Sequence, residues 1–562
     1  MRDYNYFSHT GIDGSTFVDR EVKAGYSKKC AAGENIAGNQ TPKKTVDAWL
    51  KSPGHCANIM NKDFKAIGVG YAEGGPYVNS FSRHLLIIGY GGVSQCALPL
   101  IIDFHLLKKK ITSITIIDAL DLQFKLQPYL DQYYQIKFHQ QLVDKDNYEV
   151  ILDKYLSSND IILDLAFNLE TRCLLKWCND HNVCFVNTSL ELWDPLGYAH
   201  LNDPRLLTLY QRHMEVIDML NDETWKKNGS TAIIDHGCNP GLISHFVKRA
   251  LIDMTKFILN ECATSILEDN RIKFEQALKE KNYPQLAHLI GIKTIHISER
   301  DTQITNVPKK VNEFVNTWSV EGFTEEAFAS AEMAWGTHER DIPNELLFYD
   351  ENKGPCNLVC YTRKGMNTWV RSWVPSGEII GMVIKHGESY GISKLLTIHN
   401  DNGNNNSVVY RPTVHYAYLP SDSAINSLME YRMHNYQLQP NIRLLNDDII
   451  DGVDEVGVLL LGSPYVRAWW TGSILDIHET RRLVSGQNAT TLQVAIGAVA
   501  AVNYCMNHPN EGFCLPDDID GDEILAMSMP YLGNWVSKPV DWPPVDDKIT
   551  KSWQFTSFLV VD

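Results

Sequence analysis

The chain lacks several signatures that would settle its chemistry at once. It has 12 Cys and 19 His in 562 residues, yet no CxxC pair, no two histidines four apart and no GxSxG or P-loop stretch. Those gaps exclude a thioredoxin-type redox pair, a tetrahedral zinc cage, an α/β-hydrolase nucleophile and a triphosphate cradle. No metal is expected, and the scattered cysteines, Cys356 and Cys360 included, read as reduced side chains. No run of eighteen apolar residues occurs, so no membrane span is expected. The opening MetArgAspTyrAsnTyrPhe has no apolar core of a signal peptide, which points to a cytoplasmic protein. Positive charge is scarce. Against 51 Lys+Arg stand 68 Asp+Glu, and the first 82 residues hold 10 of the basic and 8 of the acidic ones. The rest therefore carries 41 basic and 60 acidic residues, which argues against nucleic acid and permits a cationic ligand.

What is present begins at residue 83. LeuIleIleGlyTyrGlyGlyValSerGln (86–95) reads as strand, glycine turn and helix. Gly89 permits the turn, Gly91 lets backbone approach a pyrophosphate, Val93 follows in the same turn, and Ser94 replaces the usual third glycine with another small residue. A strand over 85–88 precedes a helix over 95–104, whose first turns Pro99 is expected to distort. A second strand over 113–117 ends in Asp118, placed to accept both ribose hydroxyls of NAD. Further apolar runs at 161–167, 183–187 and 232–235 alternate with helical stretches, so the fold class is α/β with a doubly wound parallel sheet of Rossmann type. Ligands lie at the carboxyl ends of such strands, where Asp164, Asn168, Thr188, Glu191 and Asn239 fall.

Downstream, polar motifs sit among apolar and aromatic residues: GluLeuTrp (191–193), HisIleSerGluArgAspThrGln (296–303), PheValAsnThrTrpSerValGluGlyPhe (314–323), LysHisGlyGluSer (385–389) and TyrArgProThrValHisTyrAlaTyr (410–418). Carboxylates beside indole faces suit ammonium groups, by charge at one end and cation–π attraction at the other. Taken singly, each acid is more often a structural salt-bridge partner and each Trp a core residue; the set carries the reading. Strands are expected near 357–362, 379–384 and 407–418 in an α+β substrate domain. The AspAsnGlyAsnAsnAsn stretch (401–406) reads as a turn between strands, and 487–502 as a helix of small residues.

On those motifs, residues 84–562 resemble the homospermidine synthase family, relatives of the saccharopine dehydrogenases. The resemblance implies bound NAD as a recycled group, small cationic diamines and polyamines as substrates, a homodimer, and aminobutyl transfer from putrescine or spermidine through an imine. It assigns catalysis to Trp318, Glu299, Glu326 and His386, and substrate binding to Glu191, Asn239 and Asp454, with Asn168 standing where an aspartate is expected. Gly89, Gly91, Val93, Ser94, Asp118, Asp164 and Thr188 would hold the cofactor. His386, Glu191 or a water is the candidate base. Departures are Leu192 in place of a proline, Asn168 itself, and a longer segment at 269–292. The alternatives are a saccharopine- or carboxynorspermidine-type dehydrogenase, which needs arginines for carboxylate-bearing substrates, and a binding protein without bound nucleotide.

Residues 6–74 are of another kind. PheSerHisThr (7–10), GlyGluAsnIleAlaGly (33–38), SerProGlyHis (52–55) and AlaIleGlyValGlyTyr (66–71) resemble the CAP (cysteine-rich secretory) superfamily, truncated at both ends. That resemblance places His9, Glu34 and His55 in a central cavity and allows Cys30 to pair with Cys56. A helix over 41–50 is expected, with Thr41 as cap, Pro42 at its first position, and Val46, Trp49 and Leu50 on one face. The expected division is 1–82, a truncated α+β CAP-like segment; 83–240, the Rossmann domain; 241–430, the substrate domain; and 431–562, a helical segment packing back on the nucleotide domain.

Overall fold

The structure, a computed structural model, describes residues 15–23, 34–35, 46, 49–61, 83–104, 111–195, 197, 203–262, 266–349, 358–400, 408–542 and 553–560. Two compact units divide the chain. Residues 1–83 with 110–112 form one, and 84–109 with 113–562 form the other.

The first unit contributes two short described helices, Phe17–Lys23 and Pro53–Ile59. Thr16 and Asp19 cap the former reciprocally: the Asp19 amide donates to Thr16 Oγ1 at 3.3 Å, and the Thr16 amide to Asp19 Oδ2 at 2.9 Å. Glu34 is spent on an ion pair with Arg20 at 2.7 Å. His55 lies in the second helix. Val46, Trp49 and Leu50 are helical, but Val46 and Leu50 are 44% and 45% exposed, so the expected apolar face is not covered. His9, Cys30, Thr41 and Pro42 lie outside the described residues. Among the described residues from 15 to 61 whose burial is described, none is buried.

The second unit holds the large sheets. Strands β1 (Arg83–Ile88), β2 (Ile111–Asp118), β3 (Ile136–Gln140), β4 (Ile161–Asp164), β5 (Cys184–Asn187) and β6 (Ala232–Ile233) lie in the order 6-5-4-1-2-3, and Phe513–Cys514 adds a seventh strand beside β6. The β1–β4, β2–β3, β4–β5, β5–β6 and β6–Phe513 pairings are all parallel. Buried on both faces, Leu85–Ile88 and Ile161–Leu163 read as unbroken apolar runs for that reason. The strand order reverses between β1 and β4, which opens a crevice at their carboxyl ends. Helix α1 (Gly92–Asp103) starts three residues before its expected position and runs unbroken through Pro99. With Pro99 near its carboxyl end, the helix forgoes one main-chain bond and keeps its first turns regular.

The second sheet has ten strands. At its centre are β7 (Thr294–Asp301), β8 (Thr413–Leu419), β9 (Val453–Leu461) and β10 (Ala468–Asp476), in the order β8-β7-β9-β10. β7 and β8 are parallel; β9 is antiparallel to β7 over eight residue pairs. Residue 430 is therefore not a structural boundary. The segment 431–562 is not simply a helical segment: it supplies β9, β10 and Asn534–Val540 to this sheet and Phe513–Cys514 to the nucleotide sheet. Apolar runs of that length pair with whichever strand the topology presents, and here the partner lies about 150 residues upstream. The helix expected at 487–502 is α5 (Ala489–Asn507), and it packs on α1. α5 is the one described helix long and apolar enough to cross a membrane. It is buried in this fold, with Gln493 Nε2 donating to Ser473 Oγ at 3.0 Å. The strands Ile398–His399 and Val408–Tyr410 pair antiparallel around 401–406, which lie outside the described residues. The segment 269–292 holds most of the helix Glu268–Glu280 and all of Tyr283–Ile290.

Candidate active site

At the carboxyl ends of the nucleotide strands, a cleft opens between the two sheets of the second unit. Val93, Thr188, Glu191 and Asn239 line it from the nucleotide side, and Glu299, Trp318, Glu326 and His386 from the other. Eight of the fifteen expected residues thus meet around one space, although they span 294 positions of sequence.

The nucleotide wall is built from main chain. Gly89 has φ +87°, and a Cβ there would lie 2.8 Å from the Leu165 carbonyl oxygen, so only glycine fits. Gly91 precedes α1, and a Cβ on it would meet nothing within 4 Å. Open space in front of a helix start, whose first amides lack intrahelical acceptors, is a cradle for an anion. Ser94 is buried and donates its hydroxyl to the Gly89 carbonyl, locking the turn where a third glycine is usual. Asp118 closes the turn from β2, accepting the Tyr90 amide at 2.6 Å and the Leu120 amide at 2.8 Å. Those residues fit a dinucleotide. Asp164 is buried at the end of β4, where burial, with Glu191 nearby, raises its carboxyl well above the usual range. It lies beneath the cleft and does not line it.

The opposite wall is built from side chains. Glu299 on β7 receives hydrogen bonds from Asn239 Nδ2 and the Tyr416 hydroxyl. Burial raises it to about 7 against those two donors. Glu326 on α3 (Val320–Phe328) is raised further by burial, to about 8, with His386 opposing. His386 precedes α4 (Gly387–Leu396), and its Nδ1 lies 3.2 Å from Glu388 Oε2. Burial alone would lower it; Glu388 first, then Glu326 and the Asn239 main chain, raise it to about 9. Trp318 is half-buried, its Nε1–H held by the Tyr418 hydroxyl at 3.0 Å. Gly322 lies beside the indole, where a Cβ would come within 3.3 Å of Cζ3. Glu191 accepts from Ser189 Oγ at 2.8 Å, while its other oxygen is buried without a partner.

Two expected residues stand elsewhere. Asp454 is fully buried behind the wall, opposite Asp301 in the β7–β9 ladder, with one oxygen bonded by Thr490 and the other unpartnered. Burial and the neighbouring Glu299 and Asp301 raise its carboxyl well above the usual range. Asn168 is exposed, with φ +62°: the chain turns outward after Phe167, which does line the cleft, and carries residue 168 away from it. Its expected place in the substrate pocket is therefore corrected.

Sequence reasoning missed the cations. Arg212 and Lys385 both reach the cleft and both are paired with Glu325, Arg212 at 2.7 Å. Despite its burial, the two hold Glu325 below the usual carboxylate range. Lys385 stands directly before His386 in a motif already singled out; Arg212, inside the helix Leu209–Leu220, carries no local signal. Tyr416 was likewise within a quoted motif and left without a role. No described group of His, Cys, Asp and Glu could hold a metal ion.

Three family models match parts of the chain. Residues 85–233 match the saccharopine dehydrogenase NADP binding domain, and 237–538 the saccharopine dehydrogenase C-terminal domain. Residues 1–86 match the cysteine-rich secretory protein family. A homospermidine synthase of Blastochloris viridis is 33% identical over 504 residues, covering 87% of this chain and 99% of its own. The crystal structure of a homospermidine synthase from Legionella pneumophila, in complex with NAD, superposes with a TM-score of 0.72 at 33% identity, over 86% of this chain and 98% of that one. The front segment is 47% identical over 76 residues to YkwD, an uncharacterized protein of Bacillus subtilis, covering 13% of this chain and 29% of that protein.

Proposed function

The chain belongs to the homospermidine synthase family, and from that premise we propose that it moves an aminobutyl group onto putrescine from a second putrescine or from spermidine. Ammonia or 1,3-diaminopropane leaves and homospermidine forms. The observation that carries this reading is the charge balance of the cleft. Among the described residues, the cations lining it are already engaged: Arg212 and Lys385 with Glu325, His386 with Glu388. Glu191, Glu299 and Glu326 form no ion pair and keep raised carboxyls. A wall short of positive charge suits a diammonium substrate. A carboxylate-bearing substrate, as the dehydrogenase alternative requires, would find no free guanidinium in Arg212.

Gly89, Gly91, Val93 and Ser94 would hold the pyrophosphate side of NAD, Asp118 its ribose, and Thr188 would flank the bound group. When bound, NAD supplies a hydride acceptor that gives the hydride back within one turnover, so no net oxidation results. The chain's own residues do the rest. Glu299, oriented by Asn239 and Tyr416, and Glu326 hold ammonium groups. The indole of Trp318, fixed by Tyr418, faces the cationic imine and stabilises it by about 0.5–2 kcal/mol. Excluding water protects that imine from hydrolysis. Proton acceptance falls to Glu326, a carboxylate above about 8, and to His386, neutral above about 9. A homodimer in the cytoplasm completes the proposal.

Mass spectrometry of products from putrescine with catalytic NAD tests the reading. Homospermidine and ammonia without net NADH are expected; steady NADH accumulation would make the protein a dehydrogenase.

A further inference from the structure

Behind His386, three elements meet: α4, α2 (Leu242–Glu261) and the turn Pro516–Asp518. Their junction is polar and closed. Ser244 and His245 on α2, Ser389 and Ser393 on α4, and Asp517 on the turn are each nine-tenths buried or more; the Ser244 hydroxyl meets Asp517, and His245 Nδ1 and the Ser389 and Ser393 hydroxyls have no hydrogen-bond partner among the described residues. α4 is shaped for this. Gly391 gives its space to Asp517, since a Cβ there would lie 2.2 Å from Asp517 Oδ2. Gly387, one turn earlier, does the same for Asp235, whose Oδ2 would be 2.5 Å from such a Cβ. Lys248, itself buried, closes the far side through the Pro516 and Ile519 carbonyls at 3.3 and 2.9 Å. Three unpartnered buried groups around a buried Ser244–Asp517 pair mark a polar pocket, not a packed apolar core.

The proposed reaction needs such a place. Before the C–N exchange, two incoming ammonium groups must each shed a proton. Two protons must then return, one to the ammonia released and one to the new secondary amine. We propose, resting on that reading of the reaction, that Asp517, lined by the Ser244, Ser389 and Ser393 hydroxyls, stores one of these protons behind the cleft, reached from His386 through Glu388, while Glu326 takes the other within the cleft. The proton leaves the amine nitrogen for His386 Nε2. The Nδ1 proton passes to Glu388 and on to Asp517, and the same path returns it. Asp517 faces Lys248 on α2, Glu388 and Tyr390 on α4, and Asp518 on its own turn. Burial, with Asp518 and Glu388 adding and Lys248 and the Ser244 hydrogen bond opposing, raises its carboxyl to about 7, where it can both take and give a proton.

The test is Asp517→Asn in the full-length, NAD-loaded protein, with Ser393→Ala as a milder companion. For Asp517→Asn we expect a fall in kcat of about tenfold, KM for putrescine within about twofold, unchanged nucleotide content and a solvent deuterium isotope effect on kcat raised to about 2 or more. Ser393→Ala should raise the isotope effect with a smaller loss. A wild-type isotope effect in Asp517→Asn, at whatever rate, overturns the store. If Asp517→Asn does not fold, an unchanged isotope effect in Ser393→Ala overturns it equally. Wild-type protein that makes no triamine from putrescine overturns the reaction itself, and this proposal with it.

Discussion

The two walls of the cleft satisfy their polar groups in opposite ways. On the nucleotide side, Ser94 bonds Gly89, Asp118 bonds two main-chain amides, and Gly91 leaves a space shaped by backbone alone. Little there changes when a ligand arrives, which suits a group that stays. On the substrate side, Glu299 and Glu326 form no ion pair among the described residues, and burial raises their carboxyls, as it does that of Glu191 across the cleft. On the proposed function, a dication would complete that wall, which suits a ligand that comes and goes. The two walls thus differ in material: the first is shaped by main chain with Asp118 bonded to two amides, and the second concentrates buried carboxyls.

Breaking the first wall should have the largest effect. Gly91→Val adds bulk where no protein atom lies within 4 Å, so the fold should tolerate it. The variant is expected to purify without nucleotide and to lose turnover by about 10²-fold or more; a nucleotide-loaded, active variant would remove Gly91 from the cofactor site. On the second wall, Glu299→Gln should lower kcat/KM by about 10²-fold while NAD stays bound. Release of NAD would instead assign Glu299 to the first wall and blur the distinction. Trp318→Ala should cost about 10–30-fold in kcat and Trp318→Phe about threefold or less, because phenylalanine keeps a π face. Equal losses would end the cation–π role.

Acidity separates the walls more gently. Glu299 and Glu326, raised to about 7 and 8, hold ammonium groups only when deprotonated. KM for putrescine should therefore rise as pH falls from 8 to 6, approaching about tenfold per unit, with nucleotide content constant. A flat KM would leave the carboxyls out of binding. The smallest effect is expected from removing residues 1–82, which match a different family: activity of the remaining chain should stay within about twofold of the full protein.

The first wall was legible in sequence because backbone demands leave marks. Gly89, Gly91 and Asp118 stand at spacings that a turn and a strand end impose. The carboxylates of the second wall were legible as a set, by their setting among aromatic residues. What compensates them was not. Arg212 sits on a helix with no local cue, and its pairing with Glu325 bridges 113 positions. Asn168 read as a strand-end residue, but β4 stops at Asp164 and the chain turns outward. β3, with Lys137, His139 and Gln140 among five residues, is an edge strand with no apolar run to announce it. The place of β9 in the second sheet depends on pairing across 153 positions, a long-range fact that no local window contains.

The strand Phe513–Cys514 has a consequence for how such a chain is made. The nucleotide sheet draws its seventh strand from near the other end of the polypeptide, so the ribosome must deliver more than five hundred residues before that sheet can be finished. A nascent chain halted at residue 300 would hold six of the seven strands and lack α5, which packs on α1. The cofactor's half of the protein should therefore mature last, during or after release from the ribosome, although most of it is synthesised early.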